Sequence, residues 1–168
     1  MKVDTKTLQK FLVAAKKNTW ASGAEEEKRF GIKVLGPFVK EYKNCTLRYI
    51  DQYVGGEPFQ GLEVVTITDQ HSIEKPIWAM SYRGTYRGAA KEHLAVNDIL
   101  HQALKAIPVD APFRGPQILE NKRYFYCNTW NGDVAWFNGS EFIGDKVNTN
   151  YVHSAEYWGG LVNKRSFA

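Results

Sequence analysis

The chain has 168 residues, with 22 Lys and Arg against 18 Asp and Glu and a formal net charge of +4. With 43% hydrophobic and 14% aromatic residues, it is too apolar for a disordered chain, and it carries no collagen or coiled-coil repeat. No apolar run approaches the roughly 18 residues that span a bilayer. The expectation is one domain over residues 1–168, without a membrane partner and cytoplasmic by default.

A chain of this size buries about 70% of its unfolded surface, so stability requires neither a disulfide nor a metal. Cys45 and Cys127 both fall in strand-like runs and read as buried thiols. The basic residues are scattered, and the dense run Glu25-Glu26-Glu27-Lys28-Arg29 neutralises itself. That pattern argues against direct nucleic-acid binding.

Asp4 is placed to cap a first helix, in which Leu8, Phe11, Leu12 and Ala15 recur at i, i+3, i+4 and i+7. Lys6, Lys10, Lys16 and Lys17 fall mostly off that stripe. From Asn18 to Asn44 the glycines and Pro37 predict an irregular connection, with a short extended piece around Ile32 to Leu35. Alternating β-formers then run from Cys45 to Val54, and Gly55-Gly56-Glu57-Pro58 breaks the run. Leu62 to Thr68 and Pro76 to Tyr82 continue it as an antiparallel meander.

A second helix is expected to start near Gly88 to Ala90 and to reach Ile107, burying Val96, Ile99, Leu100, Ala103, Leu104 and Ile107. Beyond it, Lys122 to Thr129 and Val134 to Phe137 read as a hairpin turning at Asn131-Gly132. Glu141 to Ile143 and Tyr151 to Val162 read as closing strands. Strands and helices do not alternate as βα units would. The expected fold class is therefore α+β, a curved antiparallel sheet of about six strands with two helices packed on one face. No internal repeat aligns.

The histidines (His71, His93, His101 and His153) show no metal-ligand spacing, and no nucleotide loop or nucleophile elbow is present. No metal and no cofactor are expected. Arg83 and Arg87 stand ahead of the second helix, where an anion would be favoured; Arg114 would join them only if its loop folds back. The alternative is two solvated arginines on a turn.

Acids inside strands say more. Asp51 shares a side with Leu47, Tyr49 and Tyr53, and Glu63 alternates with Leu62 and Val64. An acid on an apolar face must be hydrogen-bonded, paired or set beside a cavity. Structurally, Tyr hydroxyls and Arg48 could satisfy both. Functionally, Asp51 and Glu63, with Glu141, Glu156 or His153, could meet a ligand or act as acid and base. Trp78, Tyr82 and neighbouring aromatics suit either a core or a cleft.

At Tyr49-Ile50-Asp51-Gln52-Tyr53-Val54-Gly55-Gly56, followed by Phe59-x-Gly61-x-Glu63, the chain resembles a bacterial family known as domain of unknown function 5680. Pro76-Ile77-Trp78-Ala79-Met80-Ser81-Tyr82, Pro112-Phe113-Arg114-Gly115-Pro116, Phe137-x-Gly139-x-Glu141 and Tyr157-x-Gly159-Gly160 continue the likeness from Leu8 onward. The resemblance implies no established reaction. Relatives that carry the domain behind a DNA-binding helix-turn-helix imply an effector-sensing role, whereas here the first helix leads straight into the domain.

The functional expectation is binding of a small molecule, an anion being allowed, on a concave aromatic sheet face. Its candidate residues are Asp51, Tyr53, Glu63, Trp78, Tyr82, Arg83, Arg87, Arg114, Glu141 and His153. The alternatives are an acid/base or hydrolytic enzyme using the same carboxylates, and a protein-interaction module. A homodimer is compatible with each.

Overall fold

The computed structural model describes residues 3–20, 27–29, 31–42, 45–68, 73–88 and 92–163. Helix α1 (Thr5–Asn18) starts at Asp4, whose carboxylate accepts from the Thr7 backbone N–H and hydroxyl, both at 2.8 Å. Strands β1 (Glu27–Arg29), β2 (Ile32–Tyr42), β3 (Cys45–Gly55), β4 (Phe59–Thr68) and β5 (Glu74–Tyr86) follow. Helix α2 (His93–Lys105) precedes β6 (Ile118–Glu120), β7 (Tyr124–Asp133), β8 (Trp136–Asp145) and β9 (Asn150–Leu161).

Among the described residues, nine strands form one antiparallel sheet in the order β1-β2-β3-β4-β5-β9-β8-β7-β6, against an expected six or so. Within the segment read as irregular, the described residues form β1 and the long strand β2, which extends the piece expected around Ile32 to Leu35. Its period is broken because the register shifts between Leu35 and Phe38, where Gly36 and Pro37 interrupt the ladder. The three-residue edges β1 and β6 are too short to leave a periodic signal.

The second hairpin turns three residues later than expected. Asp133 pairs with Trp136 around Val134-Ala135, and Asp133 Oδ1 accepts from the Ala135 N–H at 2.8 Å. Gly132 stays in the ladder with φ +91, facing Phe137, just as Gly55 (φ +82) faces Phe59. Both glycines supply a left-handed kink before a turn. The expected start of α2 at Ala89 and Ala90 lies outside the described residues, as do His71, Glu25 and Glu26. Cys45 is a buried free thiol, whereas Cys127 is only half-buried.

Outward from the central pair β5·β9, strands β5, β4, β3 and β2 are matched by β9, β8, β7 and β6, with β1 added at one edge, and each half begins with a helix. The two halves also repeat their residues. Phe59-x-Gly61-x-Glu63 on β4 corresponds to Phe137-x-Gly139-x-Glu141 on β8, and Tyr49-x-Asp51 on β3 to Tyr126-x-Asn128 on β7. Tyr82-x-Gly84 on β5 corresponds to Tyr157-x-Gly159 on β9. Register confirms the equivalence: Asp51 faces Glu63 as Asn128 faces Glu141, and Gly61 faces Tyr82 as Gly139 faces Tyr157. The expectation of no repeat is therefore corrected. Hairpins of different length shift the offset between equivalent residues and hide the repeat from a fixed-period comparison.

Leu8, Phe11 and Leu12 of α1 join a buried cluster with Leu47, Val65 and Trp78. Val96, Ile99 and Leu100 of α2 join a second cluster with Tyr86, Tyr126 and Ile143. By register these strand residues occupy one pleat face, here called the inner face. Among the described residues, no helix is long and apolar enough to cross a membrane.

Candidate functional site

Asp51 and Glu63 are direct cross-strand partners on the inner face, 4% and 2% exposed. Like charges this close cannot both be left bare in a dry site. Lys16, near the end of α1, makes an ion pair with Glu63 Oε2 and also donates to the Phe113 carbonyl at 2.8 Å. Burial pushes its ammonium pKa down and the Glu63 charge pushes back.

Asp51 is handled differently. The Tyr82 hydroxyl donates to Asp51 Oδ1 at 2.7 Å. Among the described residues no lysine or arginine pairs with Asp51, and its second oxygen has no donor. Burial, and next the Glu63 charge, raise the Asp51 carboxyl from 3.8 to about 7; the Tyr82 hydrogen bond, Lys16 and Arg114 pull the other way. Burial and the two acids push the Tyr49 and Tyr82 phenols up.

These groups border a cavity of about 350 Å³ between the helices and the inner face. Lys16 of α1, Leu100 and His101 of α2, Arg114 and His153 line it beside the acids. Its aromatic wall comprises Trp20, Tyr49, Tyr53, Phe59, Tyr82 and Tyr86. Lys33 stands at the rim with its ammonium 4.9 Å from the Tyr53 ring centre.

The second half completes the same constellation internally. Arg114 Nε and Nη2 donate to Glu141 Oε1 at 3.1 and 2.5 Å, and the Tyr126 hydroxyl donates to Oε2 at 2.6 Å. Burial alone would raise the Glu141 carboxyl, but the Arg114 guanidinium and His153 hold it well below the usual range. Asn128 stands where the first half has Asp51. It accepts from the Tyr157 hydroxyl at 2.7 Å, and its amide donates to the Gly115 carbonyl at 2.8 Å. His153 Nε2 lies 3.5 Å from Glu141 Oε1 yet makes no hydrogen bond, and it is buried.

Of the residues expected from sequence, Asp51, Tyr53, Glu63, Tyr82, Arg114 and His153 surround the cavity. Trp78 is fully buried in the core, with the Lys16 ammonium 5.8 Å from its ring, and does not line the cavity. Glu141 stands behind Arg114 as its partner. Arg83 and Arg87 are exposed and border a separate depression with Glu156 and Tyr151. Because α2 begins at His93, neither arginine stands at its first turn. Among the described residues, no three of His, Cys, Asp and Glu converge as a metal site would require.

Sequence reasoning missed Lys16, Trp20, Phe59, His93 and His101, all of which line the cavity. For Lys16 the signal was available: it lies at i+4 from Leu12 and i+8 from Leu8, on the apolar stripe itself. Trp20 and His101 pack ring to ring at 4.2 Å only because α1 and α2 meet, which local pattern does not reveal.

Residues 51–162 match the family described as Domain of unknown function (DUF5680). That span begins at Asp51, so it is narrower than the likeness drawn from Leu8. No curated protein and no solved structure matches the chain.

Proposed function

The chain belongs to the domain-of-unknown-function family DUF5680, and from that premise we propose that it binds a small molecule in the cavity beside Asp51 and Glu63. The observation that carries this reading is a cavity of about 350 Å³ whose wall holds a buried acid, Asp51, that pairs with no cation among the described residues. Ligand sites are mostly apolar clefts from about 300 Å³ upward with a few convergent polar groups. A buried carboxyl whose pKa is displaced by burial and a neighbouring charge, set in such a cleft, is a candidate functional group.

In this reading both helices cover the face that holds the site, and the domain acts as a soluble receptor for a diffusible guest. An anionic guest is disfavoured, since Lys16 and Arg114 already carry Glu63 and Glu141, and Arg83 and Arg87 stand elsewhere. A thermal-shift screen over metabolites tests the proposal. At least one class of compound is expected to raise the melting temperature in proportion to its concentration. A flat response across the screen would remove the binding role.

One observation favours a second reading, acid–base catalysis. The Asp51 carboxyl sits near 7, where it can give and take a proton in neutral solution. Turnover of a bound compound, with a rate that follows one ionisation near pH 7 and disappears in Asp51→Asn, would select this reading.

A further inference from the structure

Resting on the binding role proposed above, we infer that the guest is a cation, a protonated amine or a related nitrogen base, held by Asp51 against the aromatic wall. The two halves of the fold act as an internal control. In both, a tyrosine from the central pair of strands reaches over a glycine to a residue two strands away, Tyr82 to Asp51 and Tyr157 to Asn128. An amide satisfies that tyrosine in the second half, so the fold does not need an acid at the position. The acid in the first half is surplus to structure.

What fills the space beside the two residues also differs. The Asn128 amide donates to the Gly115 carbonyl, so the chain supplies an acceptor there. Beside Asp51 the chain supplies nothing to the second carboxylate oxygen among the described residues, and the cavity opens instead. For the ionised carboxylate the missing group is a donor. A charged donor fits best, because each buried cation nearby already has its own carboxylate.

The walls suit a cation as well. Rings attract cations over their faces, and the site already shows this, with the Arg114 guanidinium 5.6 Å from the Tyr82 ring. His153, 4% exposed with Nε2 unbonded, offers a further polar contact at the cavity wall.

Other charged and titratable groups face Asp51. Lys16 comes from α1, Glu63 and Tyr82 from the adjoining strands, and Arg114 from the loop after α2. Lys33 on β2, Tyr49 and Tyr53 on β3, Tyr86 on β5, His93 and His101 on α2, and His153 on β9 join them among the described residues. Lys33 opposes a cation, but it lies at the rim, where water and salt screen it. Burial, and next the Lys105 charge, hold the His101 imidazole below its ordinary pKa.

Calorimetric titration with three probes of one shape tests the inference: benzylamine, benzyl alcohol and benzoate. At pH 8, where Asp51 is ionised, benzylamine is expected to bind at least tenfold more tightly than either of the others. That preference should shrink as the pH falls to 5.5 and Asp51 takes up its proton. Asp51→Asn, which copies the Asn128 arrangement and should therefore fold, is expected to abolish the preference while keeping benzyl alcohol binding. Benzoate binding as tightly as benzylamine, or a preference indifferent to pH in wild type, would overturn the cation and leave the binding role standing. Failure of all three probes in the folded protein would overturn the binding role and the cation with it.

Discussion

Tyr82 and Tyr157 face each other in register across the central strands β5 and β9. Their rings point away from one another, each crossing a glycine on the next strand, Gly61 or Gly139. The fold thus places one device twice, and only the residue at its far end differs.

Those glycines are required by contact. A Cβ on Gly61 would lie 2.2 Å from Tyr82 Cζ, and one on Gly139 would lie 2.4 Å from Tyr157 Cζ. Gly61→Ala is expected to cost about 1–3 kcal/mol in chemical denaturation, as an overpacked site does. It should also displace the Tyr82 hydroxyl from Asp51, seen as a changed tyrosine signal by NMR. Unchanged stability in Gly61→Ala would mean that the ring does not lie over the glycine.

Stability should follow the Asp51 proton. Its folded pKa of about 7 exceeds the ordinary 3.8, so the fold binds that proton more tightly than the unfolded chain does. The resulting stabilisation is complete below about pH 4 and is lost as pH rises through about 7. Asp51→Asn removes this dependence. Relative to wild type, it is expected to gain on the order of 2 kcal/mol between pH 5 and pH 8. Parallel stability profiles for the two proteins would contradict the raised value.

Removing one member of a buried pair strands the other. Lys16→Met leaves Glu63 beside Asp51 without its cation and is expected to cost about 3–5 kcal/mol. Adding Glu63→Gln should restore most of that loss, because the stranded charge then disappears. A double variant no more stable than the single one would show that the Lys16 stem, and not its charge, carries the effect.

Arg114→Met should act similarly in the other half, exposing Glu141 to burial without its guanidinium. The expected loss is again about 3–5 kcal/mol, with Arg114→Lys intermediate. Urea denaturation of the three proteins measures it. Full stability in Arg114→Lys would deny a role to the paired Nε and Nη2 bonds.

Local pattern exposed α1, the stripe of α2 and the strands from Cys45 onward, because each has a clean period of its own. It also marked Asp51 and Glu63, since an acid among Leu47, Tyr49 and Val65 contradicts its surroundings. Strand β2 was lost where Gly36 and Pro37 shift the register, and β6 where three residues carry no period. Arg83 looked like an anion ligand because its distance from α2 was misjudged; it alternates with Tyr82 on β5 and so faces away from the cavity. The pairing of Lys16 with Glu63 joins residues 47 positions apart, and only the packed helix brings them together.

The sheet ends on each side in a strand of three residues, β1 and β6. An outermost strand with unpaired backbone groups is a template on which foreign strands can grow. Among the described residues, however, β1 covers only Ile32, Lys33 and Val34 of β2, and β6 only Phe125, Tyr126 and Cys127 of β7, so residues 35–42 and 129–133 form open border. A foreign strand would therefore add beside these open stretches and not on the three-residue ribbons, and any lengthening of the nine-stranded platform would begin there.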